Sequence, residues 1–381
     1  MARPKFRELR RSYGFDEVAI VPGDVTINPD QTNIELEIEG FTLAIPVLAS
    51  AMDGVTNVRT AITLSKLGGL GVLHLEGVQT RYDDPEEMLI EISRAPADKV
   101  TPLLQKVYSA PIKENLIGER IAAIKKAGAV CAVSVTPANT KRFAPLTAQA
   151  GADILVVAST VTTARHTSKS YEGLIFPKLR KLVSMPVIVG NCVSYSACLE
   201  LMETGISAVL VGVGPGAACT TRQVLGVGVP QITATMDCAQ ARDDYQRQSG
   251  RYVPIITDGG FRNGGDICKA VAAGADGVML GSVLAQAREA PGLGYHWGMA
   301  NPHPALPRGT RIKVGTTGTM EQILFGPTSV TDGSQNLMGA LRTALGVCGA
   351  RDIKEMHKAE MVIAPSITTE GKFWQMTQGR T

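Results

Sequence analysis

The chain has 381 residues, room for two domains or one large barrel, and 44% hydrophobic against 19% charged residues excludes global disorder. Thirty-eight basic against 35 acidic side chains leave a formal charge of +3, too even a balance to recruit nucleic acid or an anionic membrane. Glycine, at 40 residues, exceeds the usual share of about 7% and suits a backbone that turns sharply or approaches a ligand at many points.

In chain order, the N-terminal MARPKFRELRRSYGF is basic without an apolar stretch, which is not the pattern of a secretory signal. The first apolar run, AIPVLAS at 44–50, reads as a strand that opens into SAMDG at 50–54, and NVRTAITLSKL at 57–67 has the spacing of a covering helix. Strands follow at 70–74 (LGVLH), 130–135 (VCAVSV) and 153–158 (DILVVA). PVIVGN at 186–191 runs into GNCVS and a helix over 194–204 (SYSACLELMET). SAVLVG at 207–212 leads into GVGPGAACTTR at 212–222, VPIIT at 253–257 into TDGGFRNGGD, and GVMLG at 277–281 into LGSVL. The phrases AGA at 150–152, TGIS at 204–207 and AGAD at 273–276 place a glycine where a helix ends just before a strand. Near-continuous apolar strands separated by helices predict a parallel sheet covered by helices. The fold expected is a single α/β (β/α)8 TIM barrel over 1–381 with N- and C-terminal extensions. Its active site belongs at the C-terminal ends of the strands, where all five glycine-bearing loops fall. No window approaches 18 to 20 uninterrupted apolar residues, so no membrane span is expected. Seven scattered cysteines without a CxxC pair indicate neither a disulfide framework nor a structural zinc site, which points to a reducing cytoplasm.

The loops carry the chemistry. GVGPGAACTTR sets glycines and a proline ahead of Cys219, a setting that suits either an activated nucleophile or a small buried hydrophobe. Gly259, Gly260 and Gly281, with the Ser282 hydroxyl, suit a phosphate cradle after the last two strands, with Asp258 just beyond its strand facing a ribose diol; a pair of tight turns capped by Asp258 is the plain alternative. Residues 285–318 form a candidate active-site flap; its stretch 295–318 has little periodicity and suits either a lid or an ordinary surface loop, with His296 and His303 as acid/base groups or mere loop residues.

With these motifs in hand, the sequence resembles the IMP dehydrogenase/GMP reductase family over nearly its whole length. PVLASAMDGVTN, VIVGNCVS, GVGPGAACTTR, PQITA, ITDGGFRNGGDICKAVAAGADGVMLGS and EAPG stand in family order. The resemblance implies that Cys219 attacks C2 of the purine and that Thr221 assists proton transfer. It implies Ser50 and Met52 at the base, Gly216, Gly259, Gly260, Gly281 and Ser282 at the 5′-phosphate, Asp258 at the ribose, and Asn191 and Met299 completing the pocket. The reaction implied is oxidation of IMP to XMP with NAD through a cysteine thioimidate. A monovalent cation, K+, is implied at Gly214, Gly216 and Cys219, completed by Glu370 and Gly371 of a neighbouring subunit's C-terminal segment. A cytoplasmic homotetramer is implied, with an octamer as the alternative assembly.

The sequence also departs from the family. Only residues 78–129 separate VLHLEG from VCAVSV, so the usual pair of cystathionine-β-synthase-type regulatory domains is expected to be missing. Ala217 replaces a phosphate-binding serine, a loss of about 1 kcal/mol. Ser159 and Thr160 follow Ala158 where an NAD-contacting aspartate is usual, and the flap is short, leaving Arg308 or Arg311 as the candidate base for the water step. GMP reductase, which reduces GMP with NADPH on the same fold, is the rival; GMANPHP lacks the carboxylate such reductases carry there, which favours the dehydrogenase. A catalytically silent purine-nucleotide-binding barrel is the further alternative, against which Cys219 and Thr221 argue.

Overall fold

The computed structural model describes residues 9–169, 173–299 and 310–364. Eight parallel strands close a barrel: β1 (Val47–Ala49), β2 (Leu70–His74), β3 (Ala132–Val135), β4 (Ile154–Ala158), β5 (Val187–Cys192), β6 (Ala208–Val211), β7 (Ile255–Asp258) and β8 (Gly277–Leu280). Each pairs with its neighbour in the chain, and β8 closes the ring on β1 with Val278 opposite Val47. The covering helices, one after each strand, are α1 (Val58–Lys66), α2 (Glu114–Lys126), α3 (Pro137–Gln149), α4 (Phe176–Leu182), α5 (Tyr195–Glu203), α6 (Gln231–Ser249), α7 (Gly264–Ala272) and α8 (Leu337–Val347). This is the (β/α)8 barrel expected from the sequence.

Local chemistry sets the boundaries. Asn57 caps α1 by accepting the Thr60 amide at 2.9 Å, and Asn263 caps α7 by accepting the Asp266 amide at 3.0 Å. Gly151, Gly205 and Gly274, just past α3, α5 and α7, all adopt the positive φ that ends a helix and turns the chain into the next strand. Of the strands that begin later than the sequence suggests, β1 at Val47 and β7 at Ile255 each start directly after a proline that has no amide to donate to the ladder. β7 also runs one residue further, so Asp258 is the strand's last residue rather than the first of the loop. Its direction is therefore held by strand pairing with Met279.

Leu48, Leu70, Val72, Ile154, Val156, Ile188, Leu210, Ile256 and Met279 fill the barrel interior. The hairpin of Leu36–Ile38 and Phe41–Leu43 adds Leu36, Ile38 and Leu43 to that cluster; Leu36 lies against Gly277 at the start of β8, so the hairpin plugs the N-terminal end. Each buried leucine contributes about 1.5–3 kcal/mol. The opposite face of the strands, including Val133, Val157, Val189, Val211 and Ile255, packs against the helices.

Two additions lie over the open end. Helices Pro85–Arg94 and Val100–Ser109, between β2 and β3, build a satellite core with Trp297. The segment expected as an irregular loop instead forms an antiparallel ladder of Tyr295–Trp297 with Arg311–Lys313. Its order comes from burial of Trp297 and from the Arg311 guanidinium stacked 4.5 Å from the Tyr295 ring, neither of which leaves an alternating apolar pattern. Among the described residues no helix is long and apolar enough to cross a membrane.

Candidate active site

With its N-terminal end plugged, the barrel opens only at the C-terminal ends of its strands. A cavity of about 420 Å³ lies there, within the size range of small-molecule sites. Its walls include Ser50, Met52, Ser159, Thr160, Asn191, Gly214, Gly216, Cys219, Thr221, Asp258, Gly259, Gly260, Gly281, Ser282 and Met299, drawn from loops far apart in sequence. Arg311 is not on this wall: its guanidinium donates to the carbonyls of Ile92 at 2.6 Å and Ser93 at 3.1 Å, bracing the flap ladder against helix Pro85–Arg94. Arg308, His303, Glu370 and Gly371 lie outside the described residues.

The cysteine loop follows β6. Gly212 has φ +148°, and a β-carbon there would lie 2.4 Å from the Asp258 carbonyl oxygen, so only glycine lets this loop leave the barrel beside β7. The Cys219 amide donates to the Gly216 carbonyl at 3.0 Å, closing the turn that presents a half-buried thiol to the cavity. Its Sγ donates to Oγ1 of the buried Thr221 at 3.2 Å. Next to it, Arg222 donates to the carbonyls of Val213 at 3.3 Å and Val229 at 2.7 Å. Burial pulls the Arg222 guanidinium below its ordinary range while the negative charge of a Cys219 thiolate lifts it. Arg222 thus places a cation within electrostatic reach of the thiol.

β5 and β7 flank β6 and meet across it: Asn191 Nδ2 donates to Asp258 Oδ2 at 2.8 Å. Burial pushes the Asp258 carboxyl up to about 6, and the Asn191 bond opposes that rise. The buried Gln231 amide, at the start of α6, donates to the carbonyls of Val211, Asp258 and Gly259 at 3.2, 2.9 and 3.2 Å. It ties the base of the cysteine loop to the glycine pair after β7. In the sequence Gln231 stands only within the motif PQITA, and a lone glutamine carries no signal until its three acceptors converge.

Gly259 and Gly260 pack against Pro215 of the cysteine loop, and Gly281 lies against Ser50 and Met52. Ser282 Oγ lies 2.9 Å from Nε2 of His296, which is buried and held neutral by burial down to about 4. That imidazole reaches the cavity from the flap ladder. The Tyr108 hydroxyl donates its one proton to the buried Asp53 carboxylate at 2.7 Å and accepts from the Trp297 indole at 2.7 Å, and the Met299 sulfur lies 3.4 Å from the same oxygen. Asp53 directly follows Met52, so one network fixes both methionines of the site.

Opposite the β7–β8 loops, the ends of β2 to β4 form a polar wall. Glu76 accepts from the Thr136 amide at 2.6 Å and from Asn139 at 2.8 Å, and Glu76, Arg81, Thr136, Ser159 and Thr160 all face the cavity. Glu76 lies within VLHLEG, where nothing in the sequence gives it a role, and Arg81 stands in no motif. The Ser159 hydroxyl is engaged with Thr162 Oγ1 and the Val161 carbonyl, both at 2.9 Å. Glycine turns on one side, a polar wall on the other and a thiol between them fit a nucleotide together with a second polar ligand.

Comparison with known proteins agrees with this arrangement. Residues 12–299 match the family model described as IMP dehydrogenase / GMP reductase domain. An uncharacterised oxidoreductase of Mycolicibacterium smegmatis is 36% identical, the alignment covering 94% of this chain and 98% of that protein. Inosine-5′-monophosphate dehydrogenase of Cryptosporidium parvum is 29% identical, covering 96% and 94%. The 1.50 Å crystal structure of an IMP dehydrogenase/GMP reductase-like protein from Corynebacterium glutamicum superposes with a TM-score of 0.88 at 35% identity, covering 94% of this chain and 95% of that one. The chain therefore belongs to the IMP dehydrogenase/GMP reductase family, an oxidoreductase family.

Proposed function

We propose that the protein oxidises IMP to XMP in guanine nucleotide biosynthesis, with Cys219 as the covalent nucleophile and NAD as hydride acceptor. The observation that carries this reading is the Cys219–Thr221 pair, 3.2 Å apart, in the same cavity as the Asn191–Asp258 pair and the glycine turns after β7 and β8. In it, Gly216, Gly259, Gly260, Gly281 and Ser282 hold the 5′-phosphate, Asp258 accepts from the ribose hydroxyls, and Ser50 and Met52 hold the base. Cys219 adds as thiolate to C2 of the purine, because an aromatic C–H releases hydride only once its carbon is tetrahedral. Bound NAD supplies the hydride acceptor, and the polar wall of Ser159, Thr160, Thr136 and Glu76 is where this chain holds it. Thr221 then moves a proton as water replaces sulfur at C2, breaking the C–S bond and returning the thiol. Carbonyls at Gly214, Gly216 and Cys219 suit a K+ ion, completed by Glu370 and Gly371 of a neighbour in a cytoplasmic homotetramer. The short flap leaves Arg308 as the arginine for the water step, since Arg311 is spent on the Ile92 and Ser93 carbonyls.

A second reading, GMP reductase, is favoured by Glu76. The carboxylate missing after Met299 is supplied on the cavity wall from the β2 end, where it suits a step that must protonate departing ammonia. Absorbance at 340 nm separates the two. With K+ present, NADH formation from IMP and NAD, abolished in Cys219→Ala, is expected. NADPH consumption with GMP would replace the dehydrogenase by the reductase. Silence in both assays with IMP still bound would leave a nucleotide-binding barrel without catalysis.

A further inference from the structure

Three of the seven cysteines, distant in sequence, converge in space. Cys192 ends β5, Cys198 lies on α5 and Cys238 on α6, and their three Sγ atoms all lie within 4.8 Å of one another. They are 2%, 0% and 0% exposed, packed in the layer between strands and helices and outside the cavity. The proposed reaction uses none of them. We propose that this trio is a three-thiolate binding site for a soft monovalent cation of the copper(I) class.

The argument is one of donor type, number and enclosure. Three thiolates at about 2.3 Å from a central ion stand about 4 Å apart, so the observed cluster needs a contraction of under about 1 Å. Sulfur donors select Cu(I), zinc and iron–sulfur chemistry over hard ions. Structural zinc takes four ligands, whereas among the described residues the cluster offers three sulfurs and no histidine or carboxylate. Full burial leaves no water-exposed fourth position. Copper(I) is content with three sulfurs, and each thiol that binds gives its proton to solvent with no change of oxidation state. In the present arrangement the Cys198 thiol faces the Cys238 carbonyl at 3.8 Å and the Cys238 thiol the Ser194 carbonyl at 4.0 Å. These are long, weak contacts, so little is lost when the sulfurs turn toward an ion. The spacing of these cysteines in the chain reads as no metal motif because the three ligands come from three elements.

The test uses the full-length reduced chain carrying Cys219→Ala, which removes the cavity thiol. Copper(I) is delivered from a chromophoric chelator, and bound metal is counted by native mass spectrometry after overnight equilibration and, in parallel, after refolding with the ion. One Cu(I) per chain is expected, with three sulfur neighbours by X-ray absorption. Cys198→Ala or Cys238→Ala in this background should weaken retention at least a hundredfold. Cys268→Ala, a buried cysteine elsewhere, should leave it unchanged. Cys198→Ser serves as the second variant, with thermal unfolding confirming that each protein is folded. No retained copper under either procedure, nitrogen or oxygen coordination, or undiminished binding in the trio variants would overturn the assignment.

Discussion

The Asp258 carboxylate shows how one residue's environment becomes a measurable pH dependence. Burial pushes it up to about 6 from an ordinary value of 3.8, while His296, also buried at the cavity, is pushed down to about 4. The part of an acid limb near pH 6 in nucleotide binding that Asp258→Asn removes belongs to Asp258, because His296 is already neutral there and the nucleotide phosphate, whose second ionisation also falls at about 6, is common to both proteins. IMP affinity should rise with pH through about 6 in the parent and lose that limb in Asp258→Asn. The substitution should also weaken IMP ten- to hundredfold, the value of a hydrogen bond to a charged acceptor, about 1.5–3 kcal/mol. Isothermal titration at pH 5 and pH 7.5 reads both. Stability has the opposite sign. The folded chain binds this proton more tightly than the unfolded chain, so the parent loses stability as pH rises from about 4 to about 6. Asp258→Asn escapes that loss, and a thermal midpoint gap in the variant's favour should open over the same interval. A parent profile flat through pH 6 would show that Asp258 stays ionised in the folded protein.

Elements carry the next level, and here the sequence was legible in some places and mute in others. Barrel strands announce themselves because both faces are buried, so their runs are apolar throughout. The catalytic loops announce themselves because glycine clusters after such runs have few other uses. The flap ladder was not legible: three-residue strands around Tyr295–Trp297 and Arg311–Lys313 owe their order to distant helices, not to an alternating pattern. Glu76 and Gln231 were illegible as functional residues for the related reason that single polar residues gain meaning only from what the fold brings beside them. Tyr108 illustrates the same dependence and permits a test. It lies on helix Val100–Ser109 yet joins Asp53 to Trp297 beneath the two methionines of the site. Tyr108→Phe removes one donor and one acceptor from buried partners, which should cost about 1–3 kcal/mol in denaturant unfolding. As a positioning residue it should raise KM for the nucleotide more than it lowers kcat. An unchanged KM in a destabilised variant would confine its role to packing. Gly212→Ala probes the junction of β6 with β7. The added carbon meets the Asp258 carbonyl at 2.4 Å in a backbone conformation that alanine avoids. The variant should fold with lower stability and lose IMP binding together with thiol protection against iodoacetamide.

At the scale of the whole molecule, the proposed cation site would make one chain an incomplete catalyst. In the proposed scheme Gly214, Gly216 and Cys219 offer one side of the K+ site and a neighbour's Glu370 and Gly371 the other. The cysteine loop assigned to the ion is also the loop whose base Gln231 ties to the glycine pair after β7, so in this scheme cation and substrate act on one unit. Two variants, one inactive and one impaired, then become informative. Cys219→Ala lacks the nucleophile but retains an intact Glu370, and Glu370→Gln retains the nucleophile but presents an impaired cation ligand to its neighbour. If the ion is shared, a mixed assembly contains interfaces where an intact Cys219 loop meets an intact Glu370. Co-expressed or exchanged subunits should recover a fraction of K+-activated turnover that neither parent has, and light scattering should report tetramers in both. If Glu370 acts within its own chain, mixing recovers nothing beyond the residual activity of Glu370→Gln, and the shared-site scheme fails even though K+ activation itself persists.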